Sequence, residues 1–324
     1  MVALGLGQGL GLVADIGGTN ARFALVDTVG DRKTLLDMQQ LVCADYPTFE
    51  DSLSAYLKNV GAKPCPGVVA VAGAVKNNAV RFTNLNWHIT PETLTRSGFP
   101  SVRLINDYAA QALALPLLDR ARLFPLGPHQ GPHEGTLAVL GPGSGLGVAA
   151  LIRQPGGQDV PLATEGGHAD FAALDDIEHE IAKILTARHG RASIETLLCG
   201  SGLCRLYELL QLLGGKKAEP LSASDISERG LAGDWDCRET LLRFCAILGS
   251  VSGDVALTLG ATGGVFIAGG IAPRILPVLE ASRFRERFEA KAPMVAWLKA
   301  TPSLIITDTN SALLGAARVL AAAS

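Results

Sequence analysis

Two glycine-rich turns, each strung between short apolar runs, constrain this chain more than any other feature. The first reads Leu12-Val-Ala-Asp15-Ile-Gly17-Gly18-Thr19-Asn20-Ala-Arg22-Phe-Ala-Leu-Val26. The second reads Leu137-Ala-Val-Leu-Gly141-Pro-Gly143-Ser144-Gly145-Leu-Gly147-Val-Ala-Ala-Leu-Ile152. Alternating small and branched apolar residues predict a strand on either side of each turn, where glycine permits positive φ and close backbone approach. Such a turn aims several N–H groups at one spot, which suits a phosphate. Neither turn carries G-x-x-x-x-G-K-[ST] or completes G-x-G-x-x-G before a helix, so the commoner phosphate and dinucleotide loops are set aside. Strand, glycine turn and strand recur about 125 residues apart with a hydroxyl residue in each, Thr19 and Ser144. That repetition predicts a duplicated nucleotide clamp; two ordinary glycine-rich hairpins are the competing description.

The rest of the chain sets the frame for such a clamp. With 324 residues, 48% of them hydrophobic, it can bury a large core in two domains or one large one. Buried-strand runs at Val68–Ala72, Val102–Ile105, Leu137–Leu140, Val265–Ala268 and Leu304–Ile306 alternate with helical patterns, which predicts an α/β fold with strands covered on both faces. One helical stripe carries Ile177, Ile181, Ile184 and Leu185, and another carries Leu203, Leu206, Tyr207, Leu210 and Leu213. A turn-rich stretch from Leu126 to Gly135 marks a boundary ahead of the second glycine turn. A last helix begins near Asn310 and Ser311, and its pattern alone leaves open which half it packs against.

Charge and cysteine usage exclude several classes. Lysine and arginine total 28 against 31 acidic residues, a net charge of −3, and no basic cluster of the kind a nucleic acid needs is present. The opening Met1–Leu12 is apolar but lacks a basic n-region and is too short to span a bilayer, so no membrane partner is expected and the chain reads as cytoplasmic. Six cysteines without a C-x-x-C pair read as reduced thiols, neither a metal site nor a disulfide framework.

Polar residues at the ends of buried runs are the candidates for chemistry. Asp107 stands where the strand Val102–Ile105 gives way to an alanine-rich helix, the end of an open α/β sheet at which ligands bind. A carboxylate there can take the proton of a substrate hydroxyl as that oxygen attacks a γ-phosphoryl group. Asn106 or Asp107 could equally be no more than a helix cap. Glu165-Gly166-Gly167-His168 and Asp170 gather two carboxylates and an imidazole around a glycine pair, a set able to accept from and donate to neighbouring sugar hydroxyls. A surface turn for Glu165 and a structural role for His168 compete with this. Glu195 falls in the expected first turn of a helix capped by Ser193, where the helix dipole alone explains an acid. Asn84, with Asn86, Trp87 and His88, could line a polar pocket. Gly269 and Gly270, ending a strand before a helix, offer backbone room for a base or ribose.

In this order the motifs resemble those of the bacterial glucokinases, members of the actin-like, hexokinase-related superfamily. The resemblance runs along nearly the whole chain. It is carried by Asp15-Ile-Gly-Gly-Thr-Asn20, Leu104-Ile-Asn106-Asp107, Leu140-Gly-Pro-Gly-Ser-Gly-Leu-Gly147, Glu165-Gly-Gly-His168, Ser193-Ile-Glu195 with Cys199-Gly-Ser-Gly202, and Gly264-Val-Phe-Ile-Ala-Gly-Gly270. It implies a two-domain actin-like (ribonuclease H-like) ATPase fold. Residues 1–117 with 308–324 would form a small α/β domain, and residues 118–307 a large one across a cleft. It implies phosphorylation of D-glucose by ATP with Mg²⁺, and a homodimer. Asp15, Gly17, Gly18, Thr19 and Asn20 would face the ATP phosphates and Mg²⁺, Asp15 through water. Gly141, Gly143, Ser144 and Gly145 would grip the phosphates from the large domain. Asp107 would be the general base on the 6-hydroxyl, and Asn106, Glu165, His168 and Glu195 would bind other sugar hydroxyls. The chain departs from the zinc-containing sugar kinases and repressors in lacking a cysteine-rich motif near its histidine and a helix-turn-helix segment. Ala74 and Ser144 stand where relatives often carry proline and threonine. Two alternatives stay open at this level: a kinase for another hexose or amino sugar, and an actin- or chaperone-like ATPase acting on a protein.

Overall fold

The runs flanking the first glycine turn form β1 (Leu10–Ile16) and β2 (Asn20–Asp27), an antiparallel pair whose register sets Asp15 opposite Arg22. The structure, a computed structural model, describes residues 9–29, 34–73, 75–82, 85, 87–154, 156 and 159–322. The chain divides into one unit of Met1–Leu118, Asp159–Pro161 and Asn310–Ser324 and another of Asp119–Gln158 and Leu162–Thr309.

After β2 the first unit continues through β3 (Leu35–Val42), α1 (Phe49–Val60), β4 (Gly67–Val71), the short hairpin β5 (Val80–Arg81) and β6 (His88–Ile89), α2 (Pro91–Arg96), β7 (Val102–Asn106) and α3 (Asp107–Ala114). Its sheet has the order β3-β2-β1-β4-β7, with β4 and β7 parallel to β1. Thr48 and Asp51 close a capping box at the start of α1, and Gly61 ends that helix in the left-handed region at φ 68°.

The second unit holds β8 (Leu123–Pro125), β9 (Leu137–Pro142), β10 (Leu146–Ile152) and, from Leu162 on, β11 (Val160–Thr164). Four helices follow, α4 (Asp176–His189), α5 (Gly200–Leu213), α6 (Ala223–Ala232) and α7 (Trp235–Leu259), then β12 (Gly264–Ile267). Three short helices, α8 (Leu276–Glu280), α9 (Phe284–Glu289) and α10 (Val295–Ala300), lead to β13 (Ser303–Ile306). The sheet order β11-β10-β9-β12-β13-β8 repeats that of the first unit and adds β8 at one edge. β10 is antiparallel to β9, while β12 is parallel to both β9 and β13. The repetition visible in the glycine turns is therefore a repetition of whole sheets. Helix α7 is long and apolar enough to cross a bilayer by composition, but 72% of that stretch is buried, where it packs on α5, α6 and α9.

The chain returns to the first unit with α11 (Ser311–Ala322). Successive side chains of a strand point to opposite faces. Leu12, Ala14 and Ile16 accordingly join Phe49, Leu53 and Tyr56 of α1 on one face, while Val13 meets Leu313, Ala316, Ala317 and Leu320 of α11 on the other. The expected stripe on α4 is only partly a core stripe. Ile181 and Leu185 are fully buried, but Ile177, in the first turn beside the capping Asp175, is 43% exposed. On α5 the stripe likewise ends in a half-exposed Leu213.

Gly315 is where α11 presses on α3: a Cβ there would lie 1.8 Å from the Ala110 carbonyl oxygen. Gly315→Ala should destabilise the protein by about 1–3 kcal/mol through overpacking, read as a lower urea unfolding midpoint. An unchanged midpoint would contradict this seating of α11.

Candidate active site

Within the first unit the polar candidates gather at the carboxyl ends of the parallel strands β1, β4 and β7. Asp15 lies near the end of β1, and register carries Ile16 through Val71 to Asn106 at the end of β7. Asn106 is the cap of α3: its side-chain oxygen accepts from the Ala109 N–H at 3.0 Å, and its amide donates to the Gly73 carbonyl at 3.3 Å. That leaves Asp107 as the first residue of the helix, its carboxylate accepting from the Tyr108 N–H at 2.9 Å. Burial, together with the charges of Asp107 and Asp15, pushes the Tyr108 phenol well up, which marks these two carboxylates as neighbours of one ring.

The first glycine turn is braced by side chains on β2 and β3. Arg22 donates to Asp15 at 3.1 Å and to Gln40 at 3.1 Å, and the Gln40 amide donates to Asn20 at 3.3 Å. Inside the turn the Gly17 N–H is spent on the Asn20 carbonyl at 3.0 Å, and Cys43 N–H bonds the Thr19 carbonyl at 2.9 Å. The N–H groups of Gly18 and Thr19 have no protein acceptor among the described residues. A Cβ on Gly18 would meet nothing within 4 Å, so the space above it is open.

The second unit supplies a matching turn and a second cluster. The Gly143 N–H bonds the Gly145 carbonyl at 2.8 Å, and the N–H groups of Ser144 and Gly145 have no acceptor among the described residues. Gly141 lies inside β9, opposite Gly147, and so belongs to the strand and not to the turn. At the same end of the sheet Gly269 adopts φ 83° and packs under Pro142, whose carbonyl oxygen would be 2.4 Å from a Cβ, while Gly270 faces open space. His168, at the end of the single 3₁₀ turn Gly166–His168, stands between two carboxylates. Its Nδ1 is 3.8 Å from Glu195 Oε1 and its Nε2 is 3.9 Å from Glu165 Oε2, gaps too long for direct hydrogen bonds. The other Glu195 oxygen accepts from the Leu146 N–H at 2.7 Å.

Several expectations change with these positions, while the glycines of the two turns do not use the positive φ that glycine permits. At Gly145 the reason for glycine is room: a Cβ would lie 2.6 Å from the Glu195 carboxylate. Gly166 and Gly167 let the 3₁₀ turn press on β10, where a Cβ on Gly167 would lie 2.1 Å from the Leu146 carbonyl oxygen. Asp170 is not part of the cluster, because Arg191 holds it. Ser193 caps a turn and no helix: α5 starts at Gly200 with Cys199 as its cap, and Glu195 is placed by tertiary bonds. Asn84 lies outside the described residues. Arg22 and Gln40 were missed, although hairpin register about the first glycine turn places Arg22 opposite Asp15.

Comparison with known proteins bears on the family and the fold. A sequence profile of the glucokinase family matches residues 12–323. Over 311 residues the chain is 50% identical to a glucokinase of Caulobacter sp. (strain K31), spanning 95% of this chain and 94% of that one. The crystal structure of a glucokinase from an Antarctic psychrotroph superposes with a TM-score of 0.83 at 36% identity, covering 98% of this chain and 100% of that one. A Balamuthia mandrillaris glucokinase solved in complex with glucose shares the fold, with a TM-score of 0.81 at 21% identity over 96% of this chain and 93% of that one. The fold is the two-domain actin-like ATPase fold.

The charge on Asp15 can be tested without any ligand. Burial pushes its carboxyl above the usual carboxylate range, and Arg22 offsets this only in part. The folded protein therefore holds that proton more tightly than the unfolded chain, whose value is about 3.9. The stability gained is complete below that pH and is lost as pH rises through the folded pKa. Asp15→Asn should accordingly gain stability relative to the unsubstituted protein as pH goes from about 4 to about 7, measured as the difference in urea midpoints. A difference that moves the other way would mean that Arg22 outweighs burial.

Proposed function

Because the chain belongs to the glucokinase family, we propose that it transfers the γ-phosphoryl group of ATP to the 6-hydroxyl of D-glucose, with Asp107 receiving that hydroxyl's proton. The observation that carries this reading is the pair of glycine turns, whose Gly18, Thr19, Ser144 and Gly145 N–H groups lack protein acceptors among the described residues. Donors fixed by strands and left unpaired suit the oxygens of a triphosphate, whose transfer depends chiefly on positioning and charge stabilisation.

Asp107 suits the base by its place: it is the first residue of α3, at the carboxyl end of β7, with Asn106 as the helix cap. In the transfer the sugar O6 bonds to the γ-phosphorus as the bond from phosphorus to the β,γ-bridging oxygen breaks; the proton passes to Asp107 and ADP leaves. Glu165, His168 and Glu195 would fix the sugar. The imidazole between two carboxylates, each just beyond hydrogen-bond distance, leaves both acids an oxygen for hydroxyl donors. Asn106 would add its amide to the same recognition. Gly269 and Gly270 would leave backbone room at the base or ribose.

A divalent cation is tested by the donors at hand. Asp15 offers one carboxylate already shared with Arg22, and among the described residues no three His, Cys, Asp or Glu side chains gather as a metal site. Such a site fits Mg²⁺ carried in on the phosphates and met by Asp15 through water, not one caged by protein. Bound in that way, Mg²⁺ would neutralise charge on the β- and γ-phosphates.

ADP release from MgATP, followed with glucose 6-phosphate in the same reaction, tests the reading. Glucose-dependent turnover with matched products is expected; ATP hydrolysis indifferent to glucose would replace it with a protein-directed ATPase. Asp107→Asn should lower kcat by at least about a hundredfold with an unchanged circular dichroism spectrum. Near-normal kcat in that variant would remove Asp107 from the role. His168→Ala should raise the glucose KM about tenfold or more and change the ATP KM little, whereas equal effects on both would point to a purely structural histidine.

A further inference from the structure

Glu195 sits on a strap that is bonded to both functional elements of the second unit. At one end, the Ile194 and Glu195 N–H groups bond the Ala169 and Gly167 carbonyls, each at 2.9 Å, tying the strap to the 3₁₀ turn that carries His168. At the other end, the Gly200 N–H bonds the Gly143 carbonyl at 2.8 Å, tying it to the second glycine turn. Between these ties Leu197 and Leu198 are fully buried, and the Ser193 and Thr196 hydroxyls lock together at 2.8 Å. The strap's backbone is held at both ends.

The two oxygens of that side chain face different tasks. Residues in an antiparallel ladder alternate between bonded and non-bonded pairs. The Gly143 N–H bonds the Gly145 carbonyl, and Leu146, opposite Pro142, is the next position, which turns its N–H away from β9. Glu195 Oε2 is the acceptor for this N–H, at 2.7 Å, one residue beyond the unpaired N–H groups of Ser144 and Gly145. Only glycine at 145 lets the carboxylate come so close. Oε1 reaches no hydrogen-bond donor among the described residues; its neighbour is His168 Nδ1 at 3.8 Å.

We propose that Glu195 is a positioning residue for the second glycine turn as well as a sugar ligand, so that glucose raises the affinity for nucleotide phosphates. This rests on the sugar-binding role given to Glu195 under the proposed function. With Oε1 unoccupied, the carboxylate can rotate and release Leu146. A sugar hydroxyl donating to Oε1 fixes the side chain, keeps Oε2 on Leu146, and holds the Ser144 and Gly145 N–H groups in one orientation. By linkage, nucleotide then tightens glucose binding by the same factor.

Calorimetric titration with a non-hydrolysable ATP analogue and Mg²⁺, with and without saturating glucose, tests this in the unsubstituted protein and in Gly145→Ala. Glucose should tighten the analogue by at least about fivefold in the unsubstituted protein. In Gly145→Ala, where the added methyl pushes the carboxylate off Leu146, that ratio should fall toward one while glucose alone still binds. An undiminished ratio in Gly145→Ala, or a ratio of one in the unsubstituted protein, overturns the proposal. Failure of the unsubstituted protein to bind glucose at all would instead strike the proposed function. Should Gly145→Ala not bind the analogue or not fold, exchange of the Leu146 amide in the unsubstituted protein decides: slowing by glucose alone supports the coupling, and no change refutes it.

Discussion

Antiparallel pairing of two buried strands across a turn too short to satisfy its own N–H groups is the constraint on which the rest of this protein depends. In β1–β2 and in β9–β10 the ladder consumes the backbone donors up to the turn and leaves those of Gly18 and Thr19, or of Ser144 and Gly145, without an acceptor among the described residues. Because the strands are packed on both faces, these donors are held in place at little further entropic cost when an anion arrives. The parallel strands beside each hairpin then bring Asn106 and Asp107 to the turn end of one sheet, and Gly269 and Gly270 to that of the other.

The two turns are braced by different chemistry. The first relies on a line of side chains, Asp15 to Arg22 to Gln40 to Asn20, crossing three adjacent strands. The second relies on one carboxylate from a distant segment, Glu195, bonded to a backbone N–H. The first brace lies within its own sheet, whereas the single carboxylate also faces His168 at 3.8 Å.

How much could be read from the amino-acid sequence depended on how local the cause was. Strands around the glycine turns follow from two-residue alternation, and buried runs such as Val265–Ala268 follow from apolar content alone; both are strands here. Asn106 as cap and Asp107 as first helical residue were one of two readings a strand-to-helix junction allows, and the Ala109 N–H decides between them. The errors lie where long-range contacts override local signals. Ser193 and Thr196 mimic a helix start, yet bonds to the 169–171 segment hold a turn there. Asp170 looks like a third acid beside His168 until Arg191 takes it. The reason for Gly145 is an atom 50 residues further along the chain, and no turn rule contains that information.

Amide hydrogen exchange across residues 12–22 and 141–150, with and without MgADP, bears most directly on the claim that both glycine turns hold phosphate. Nucleotide should slow exchange in both segments together, with the largest effect at Gly18, Thr19, Ser144 and Gly145. Slowing confined to one segment, or appearing only elsewhere in the chain, would contradict the proposal that each hairpin turn holds phosphate.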